Sequence, residues 1–205
     1  MKTIKLLFLG LLVINIVYAK GENAMSGLSL TGKKIVMVIA PKNFRDEELN
    51  IPKDTFIKAG GKITIASTSL GVAIGKFGAN VNVDILIKDV QSSDYDAIVI
   101  VGGSGSKEYL WENKELHLLL RKMQEEGKLV CAICASPVVL AKAGVITGKD
   151  ATVFEADEYI AELKKVKANY IPKDVVVYDR IVTGNGPQAS LKFAEEIIGL
   201  LKLKR

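Results

Sequence analysis

The chain has 205 residues, 49% of them hydrophobic and 25% charged, and a formal net charge of +5. This length fits one ordinary domain with a sizeable core, and the composition excludes an intrinsically disordered chain. Because the lysines are scattered among carboxylates and form no basic stripe with interleaved aromatic residues, we expect no nucleic-acid partner.

The first 19 residues differ in character from the rest of the chain. Lys2 and Lys5 lead into a short apolar run, which ends in a small-x-small site before Lys20. This pattern is typical of a cleaved secretory signal peptide, with an uncleaved membrane anchor and a buried helix as the alternatives. A signal or anchor predicts an exported or membrane-attached protein, and the protein is otherwise expected in the cytoplasm. Residues 20–32 are predicted to be a flexible linker, and one domain is predicted over residues 33–205.

Strand and helix signals alternate along that domain. Buried strands are predicted at residues 33–40, 62–68, 96–103 and 128–133, short β-segments or a hairpin at 71–87, and a β-hairpin at 174–184. Helices are predicted at residues 51–59, 113–127, 137–144, 157–165 and 187–202, with a polar turn at 43–49 and a loop at 102–110. This alternation predicts βαβ units, and therefore an α/β fold whose mostly parallel sheet is covered by helices on both faces.

Three polar or glycine-rich stretches follow three of the predicted strands, at residues 43–49, 102–106 and 134–137. In open parallel sheets, binding sites lie beyond the carboxyl ends of the strands. We therefore expect these three stretches to meet at one rim of the sheet.

Cys134 occupies an unusual place at this rim, between a strand and the helix that Pro137 opens. A helix N-terminus favours the thiolate, so we expect a lowered thiol pKa and a nucleophilic sulfur. The N–H groups of Ala135 and Gly103 are candidates for an oxyanion hole, and Gly102 with Gly103 allows a close approach of the chain. The alternative is a buried cysteine that acts only in packing.

The other candidate residues favour packing roles. Cys131 and Cys134 lie on one predicted strand, roughly 10 Å apart, which is too far for a disulfide. The single histidine, His117, is expected on a helix, at the surface or half-buried. With one histidine and two cysteines the chain predicts no metal site, and no cofactor is expected. Tyr109 and Trp111 are expected to pack in the core or at an interface.

Four stretches of the chain, at residues 44–67, 98–106, 132–149 and 182–198, resemble the ThiJ/PfpI superfamily. The similarity extends from about residue 33 to residue 201 and is greatest to the branch that contains the human parkinsonism-associated protein. The resemblance implies a three-layer flavodoxin-like sandwich of the class I glutamine-amidotransferase type, a cysteine in a strained elbow, and a homodimer or higher homo-oligomer.

The resemblance also implies roles for individual residues. It places the nucleophilic cysteine of the superfamily at Cys134, and its elbow glutamate, a protonated partner of the thiolate, at Glu48. It places the oxyanion loop at Gly102 and Gly103, and it places a site-lining loop at residues 184–187, which include Gly186 and Pro187. The residues alone favour an exposed first-turn carboxylate for Glu48.

Members of the superfamily have been described as glyoxalases, deglycases, peptidases, chaperones and oxidative-stress sensors. Peptidase-like members carry a histidine where this chain has Ala135, and many other members carry one where it has Phe154. Their absence disfavours amide hydrolysis, because the leaving amine needs an acid. We therefore expect a cysteine-dependent glyoxalase or deglycase that acts on small dicarbonyls or on their adducts. Its partner would be a small-molecule aldehyde or a glycated adduct. A non-catalytic stress-response thiol sensor or chaperone is the alternative, and an intracellular peptidase is the second alternative.

Overall fold

The computed structural model describes residues 29–203. Its strands are β1 Lys34–Val38, β2 Lys42–Phe44, β3 Lys62–Ser67, β4 Gly71–Gly75, β5 Asn80–Val83, β6 Ile85–Leu86, β7 Ala97–Ile100, β8 Leu129–Ile133, β9 Asp150–Ala151, β10 Asn169–Tyr170, β11 Val175–Tyr178 and β12 Ile181–Gly184. Its helices are α1 Asp46–Lys58, α2 Ser104–Tyr109, α3 Lys114–Glu125, α4 Pro137–Lys142, α5 Asp157–Lys165 and α6 Ser190–Lys202. The signal or anchor predicted at residues 1–19 lies outside the described residues. Between residues 29 and 203, no helix combines the length and the apolar character that crossing a bilayer requires.

Seven strands form the central sheet, in the order β11-β12-β8-β7-β1-β3-β6. All neighbouring pairs are parallel except β11 and β12, which form the predicted hairpin at one edge. Every residue of β7 and β8 is buried, as continuous apolar runs predict for strands covered on both faces. The α/β fold with a mostly parallel sheet is therefore confirmed.

The two faces of this sheet bury separate hydrophobic clusters. Along β1, Ile35 and Met37 belong to the cluster that α1 and α6 cover. Val36 and Val38 point to the opposite face and belong to the cluster that α3 and α4 cover. This period of two residues is what a pleated strand between two helical layers requires. The resulting three layers hold the strand ends, and the loops that follow them, in fixed positions.

A second, three-stranded sheet is formed by β2, β4 and β5, and β4 and β5 form the antiparallel hairpin predicted within residues 71–87. Asp46, the first residue of α1, ties this hairpin to the main domain. Its carboxylate accepts hydrogen bonds from the N–H groups of Phe77 at 2.9 Å and Ala79 at 2.8 Å. The hairpin turn is therefore fixed against the start of the helix that carries Glu48.

Three predicted boundaries are wrong near the site. Helix α1 begins at Asp46 rather than near residue 51, because three acidic residues occupy its first turn, where the helix dipole favours them, and the helix accommodates Pro52 in its interior. The predicted loop at residues 102–110 contains helix α2. The last helix begins at Ser190, after a 3-10 turn at Pro187–Ala189.

Two smaller differences concern the periphery of the domain. Within the predicted linker, Leu30 is fully buried, and its N–H donates a hydrogen bond to the carbonyl of Ala59 at 2.6 Å. The short parallel pair of β9 and β10 was not predicted, and neither was β2. Strands of two or three residues are too short to leave a periodic signal.

Candidate active site at the cysteine elbow

Cys134 directly follows β8, and its backbone has a φ of +63°. A residue with a Cβ atom rarely adopts this left-handed conformation, which costs about 1–2 kcal/mol. The N–H of Cys134 donates to the carbonyl of Gly184 at 2.9 Å, and its carbonyl accepts from the N–H of Phe154 at 2.9 Å. Both backbone groups are thus fixed by neighbouring segments, so the strained turn is imposed by its surroundings. Strain of this kind is concentrated at functional sites.

The residues that follow Cys134 are held by buried hydrogen bonds. The hydroxyl of Ser136 donates to the carbonyl of Val101 at 2.8 Å and lies 2.7 Å from the hydroxyl of Ser106. The indole N–H of Trp111 donates to the carbonyl of Ala135 at 3.0 Å. Trp111 is buried, as its predicted packing role requires, and it also anchors the elbow. Tyr109 is half-buried and packs against the hydrophobic cluster that contains Trp111.

Glu48 lies in the first turn of α1 with a fully buried side chain, so the expectation of an exposed carboxylate is wrong. Its Oε2 atom accepts a hydrogen bond from the N–H of Gly102 at 3.1 Å. A Cβ atom on Gly102 would lie 2.5 Å from that oxygen and 2.6 Å from the Cβ of Cys134. Only glycine fits at position 102, because the carboxyl group and the cysteine both press against the chain there.

Burial raises the pKa of both the carboxyl of Glu48 and the thiol of Cys134. Burial raises the pKa of Glu48 to about 7, against the lowering effects of a hydrogen bond with Cys134 and the charge of Arg45. Burial and the negative charge of Glu48 raise the pKa of Cys134 to about 12, although the N–H groups of Gly103 and Ala135 hydrogen bond to the sulfur and oppose the shift. The expected lowering of the thiol pKa is therefore wrong in direction.

Two groups coupled in this way titrate as a pair. Above a pH of about 7 the pair has lost one proton, and the hydrogen bond between the two groups provides a path for the remaining one. When the carboxyl holds it, the sulfur is a thiolate bound by the N–H groups of Gly103 and Ala135. A thiolate at Cys134 thus arises from proton transfer within the pair, and it does not require a thiol that ionises alone in water.

A pocket with a volume of about 350 Å³ opens onto this pair. It is lined by Arg45, Glu48, Lys76, Gly103, Ser104, Cys134, Ala135, Phe154, Tyr159, Pro187 and Gln188. The three predicted rim stretches do meet here, since each contributes lining residues and the N–H of Arg45 donates to the carbonyl of Gly102 at 3.0 Å. Gly102 lies behind the pocket wall as a partner of Glu48, and the buried Gly186 precedes the lining residue Pro187.

Several lining residues were missed in the sequence. Lys76 comes from the β4–β5 turn, Tyr159 from α5, and Gln188 from the 3-10 turn before α6. Only the topology of the sheet brings these segments to the rim, and no sequence motif predicts their positions. Arg45 could have been suggested by its position three residues before Glu48.

The remaining cysteine and the histidine lie apart from this site. Cys131 is fully buried within β8, where burial raises its pKa strongly. Both cysteines are free thiols. His117 is half-buried on α3, as predicted, and its Nε2 atom lies 2.9 Å from the carbonyl oxygen of Trp111. Across residues 29–203, no three histidine, cysteine, aspartate or glutamate side chains cluster closely enough to hold a metal ion.

The fold and the site together define a flavodoxin-like α/β protein with a cysteine at a strand-to-helix elbow. The chain belongs to the DJ-1/PfpI family, whose sequence model matches residues 33–200. A ThiJ/PfpI domain protein from Brachyspira murdochii has a solved structure that is 35% identical, with a TM-score of 0.80, and the match covers 84% of this chain and all of that one.

Three relatives illustrate the range of the similarity. An uncharacterised protein of Methanocaldococcus jannaschii is 46% identical, and the match covers 83% of each chain. The protein named deglycase PfpI of Pyrococcus furiosus is 31% identical over 82% of this chain and 99% of its own length. A protein of Caenorhabditis elegans named glutathione-independent glyoxalase is 27% identical over 83% of this chain and 89% of its own length.

The shared proton predicts how thiol reactivity depends on pH. We expect the alkylation rate of Cys134 by iodoacetamide to fall as the pH drops through about 7, because both groups of the pair are then protonated and neutral. In Glu48→Gln the amide cannot accept the thiol proton, so the rate at pH 7.5 should fall at least about tenfold and the inflection near 7 should disappear. Mass spectrometry of the labelled peptide measures both effects.

Glu47→Gln is the matched control, because Glu47 neighbours Glu48 on α1 but its side chain is 42% exposed and pairs with Arg45. Its alkylation profile should follow that of the wild type. A Glu48→Gln protein that retains the wild-type inflection would show that the carboxyl does not control the thiol.

Proposed function

We propose that this protein is a cysteine-dependent enzyme of the glyoxalase or deglycase type, acting on small dicarbonyl compounds or on their adducts. The observation that carries this proposal is the buried pair of Cys134 and Glu48 at the floor of an open pocket, with two backbone N–H groups on the sulfur. The printed names of the Pyrococcus furiosus and Caenorhabditis elegans relatives support the same class of chemistry.

The residues present can carry out the first step. The thiol of Cys134 passes its proton to the carboxylate of Glu48, and the thiolate attacks the aldehyde carbon of the substrate. A carbon–sulfur bond forms, the π electrons of the carbonyl move to its oxygen, and protonation of that oxygen gives a hemithioacetal. The N–H groups of Gly103 and Ala135 lie close enough to the sulfur to stabilise the oxygen that develops beside it.

The later steps balance without an external oxidant. In the hemithioacetal of a 2-oxoaldehyde, a base removes the proton from the carbon that bears sulfur, which gives an enediolate. The neighbouring carbon is then protonated, and the hydroxyl proton of the hemithioacetal passes to the neighbouring oxygen, which gives a thioester. Water then hydrolyses the thioester to a 2-hydroxy acid and restores the thiol. Glu48 alternates between acid and base in these transfers, and a pKa of about 7 suits both roles near neutral pH.

Peptide hydrolysis is the less favoured chemistry for this pocket. No histidine lines it, since the single His117 lies on α3 with its ring nitrogen against the carbonyl of Trp111. An amide leaving group must be protonated as it departs, and a Cys–His pair normally supplies that proton. An aldehyde has no leaving group and makes no such demand.

Turnover of methylglyoxal tests the proposal directly. We expect the full-length protein to convert methylglyoxal to lactate, and Cys134→Ser to reduce this rate at least about a hundredfold, because the hydroxyl is a far weaker nucleophile. Cys131→Ala, the control for loss of a thiol, should keep most of the activity. Lactate formation at the uncatalysed rate with the wild-type protein would exclude this activity.

A thiol sensor is a second candidate, favoured by the different accessibility of the two cysteines. Cys134 is 8% exposed at the floor of the pocket, whereas Cys131 is fully buried. The partly protonated carboxyl of Glu48 beside the sulfur would also hydrogen bond to an oxidised cysteine. Such a protein would need no turnover, only selective oxidation of one thiol.

Mild peroxide treatment distinguishes the thiols. We expect oxygen to be added at Cys134, giving sulfenate and then sulfinate, while Cys131 stays reduced because neither peroxide nor thiolate charge is accommodated in β8. Peptide mass spectrometry locates the added oxygen atoms. Equal oxidation of both cysteines in the folded protein would contradict the sensor function.

We also propose that the chain forms a homodimer or a higher homo-oligomer. The side chains of Leu70, Val72 and Ile74 are 61%, 57% and 47% exposed and point outward at alternate positions of the β4 hairpin. An apolar stripe of this kind is unusual on a free surface and would be covered by a second copy of the chain.

Light scattering of the full-length protein should give at least twice the chain mass, and the double substitution Val72→Lys with Ile74→Lys should lower the measured mass. A monomeric mass for the wild type would refute this proposal.

A further inference from the structure

The site described above lacks an assigned acid for the substrate oxygen. The carboxyl of Glu48 is paired with the thiol, and the N–H groups of Gly103 and Ala135 both contact the sulfur. Attack on an aldehyde transfers negative charge to the carbonyl oxygen, which needs a proton donor of its own if the adduct is to be neutral. A donor on the pocket wall would protonate this oxygen while Glu48 keeps the proton that it takes from the thiol.

Besides Glu48 and Cys134, five lining side chains carry exchangeable protons: Arg45, Lys76, Ser104, Tyr159 and Gln188. The hydroxyl of Ser104 and the amide of Gln188 are exposed and too weakly acidic to act as proton donors. Arg45 is held by Glu47 at 2.9 Å, and a guanidinium does not release a proton at physiological pH. Lys76 is exposed, with its ammonium 5.9 Å from the centre of the Phe77 ring. Lys76 and Tyr159 remain, and of these two only Tyr159 is half-buried with its ring against a residue that binds the elbow.

Ring contacts fix Tyr159 relative to the elbow. It lies on α5 with a half-buried side chain, and its ring meets Trp111 edge to face, with the ring centres 5.3 Å apart and the planes at 77°. Trp111 in turn donates to the carbonyl of Ala135, the residue after Cys134. Two contacts therefore connect the phenol to the elbow, and Phe154 lies on another side with its ring centre at 6.3 Å.

The environment keeps this phenol protonated. Burial raises the pKa of Tyr159, the negative charges of Cys134 and Glu158 raise it further, and Lys107 opposes them. Lys107 pairs with Glu158 at 2.5 Å, so part of its charge is neutralised. A neutral hydroxyl is the form that a proton donor needs before the reaction begins.

We propose that Tyr159 is the catalytic acid that protonates the substrate oxygen during attack by Cys134. This inference rests on the proposed aldehyde chemistry. As the carbon–sulfur bond forms, the π electrons of the carbonyl move to oxygen, and that oxygen takes the proton of the phenol to give a neutral hemithioacetal and a phenolate. The phenolate regains a proton when the hemithioacetal carbon is deprotonated or its oxygen returns to a carbonyl, so the cycle consumes no proton. Tyr159 would thus supply from α5 the acid that the absence of a pocket histidine leaves unassigned.

The test compares two rates in Tyr159→Phe, which removes the hydroxyl and keeps the ring against Trp111. We expect the kcat for methylglyoxal to fall about 10- to 100-fold, in the lower range for loss of a general acid. The alkylation rate of Cys134 by iodoacetamide should stay within about twofold of the wild type, because generating the thiolate does not involve the phenol. Tyr109→Phe is the matched control, since Tyr109 is half-buried nearby but does not line the pocket, and it should leave both rates unchanged.

Each other outcome is decisive. If the wild type turns over methylglyoxal and Tyr159→Phe does so within twofold of it, the acid role is wrong while the proposed function stands. If both turnover and alkylation fall together in Tyr159→Phe, the phenol supports the elbow structurally and the acid role is again wrong. If the wild type itself shows no turnover, the proposed function fails, and this inference fails with it.

Discussion

The burial of one carboxyl group against one thiol is the constraint on which the rest of this site depends. Glu48 is fully buried beside Cys134, and the charge of Arg45 only partly offsets the effect of this burial on the carboxyl. Two anions cannot exist side by side in such a setting, so the pair keeps a proton over the range in which a free cysteine would ionise. A cysteine in a strongly electropositive environment would be ionised and reactive toward many electrophiles. The paired thiol is reactive only when its proton has moved to the neighbouring oxygen.

The surrounding backbone is arranged to keep that pair in place. Cys134 holds a left-handed conformation that other residues rarely adopt, and the carbonyl of Gly184 and the N–H of Phe154 fix its two backbone groups. Gly102 leaves space for the carboxyl because a Cβ atom there would overlap with it. These contacts come from four separate segments of the chain, so the strain at the elbow is supported by the packing of the whole sheet rim.

Much of this arrangement could be predicted from the sequence, because it depends on local patterns. Continuous apolar runs locate β1, β7 and β8, and the switch from strand to proline-led helix marks Cys134 as an elbow. The resemblance to a known superfamily was needed to select Glu48, since the residues alone favour an exposed carboxylate. The start of α1 was missed because Pro52 was interpreted as a first-turn residue, whereas the acidic residues before it form that turn. The direction of the thiol pKa was missed because burial depends on neighbours that no local pattern reveals.

The pocket-lining residues that the sequence did not predict all lie outside the strands of the central sheet. Lys76, Tyr159 and Gln188 belong to a hairpin turn, a surface helix and a 3-10 turn, none of which is a strand of the central sheet. The floor of the pocket is built from the end of β8, the first turn of α1 and the loop at Gly102, and it has little freedom because these segments are buried and hydrogen-bonded to one another. The walls come from segments whose side chains can change without disturbing the sheet. The position of the thiol and its carboxyl partner is therefore determined by the fold, whereas the pocket walls are formed by side chains that the fold only brings together.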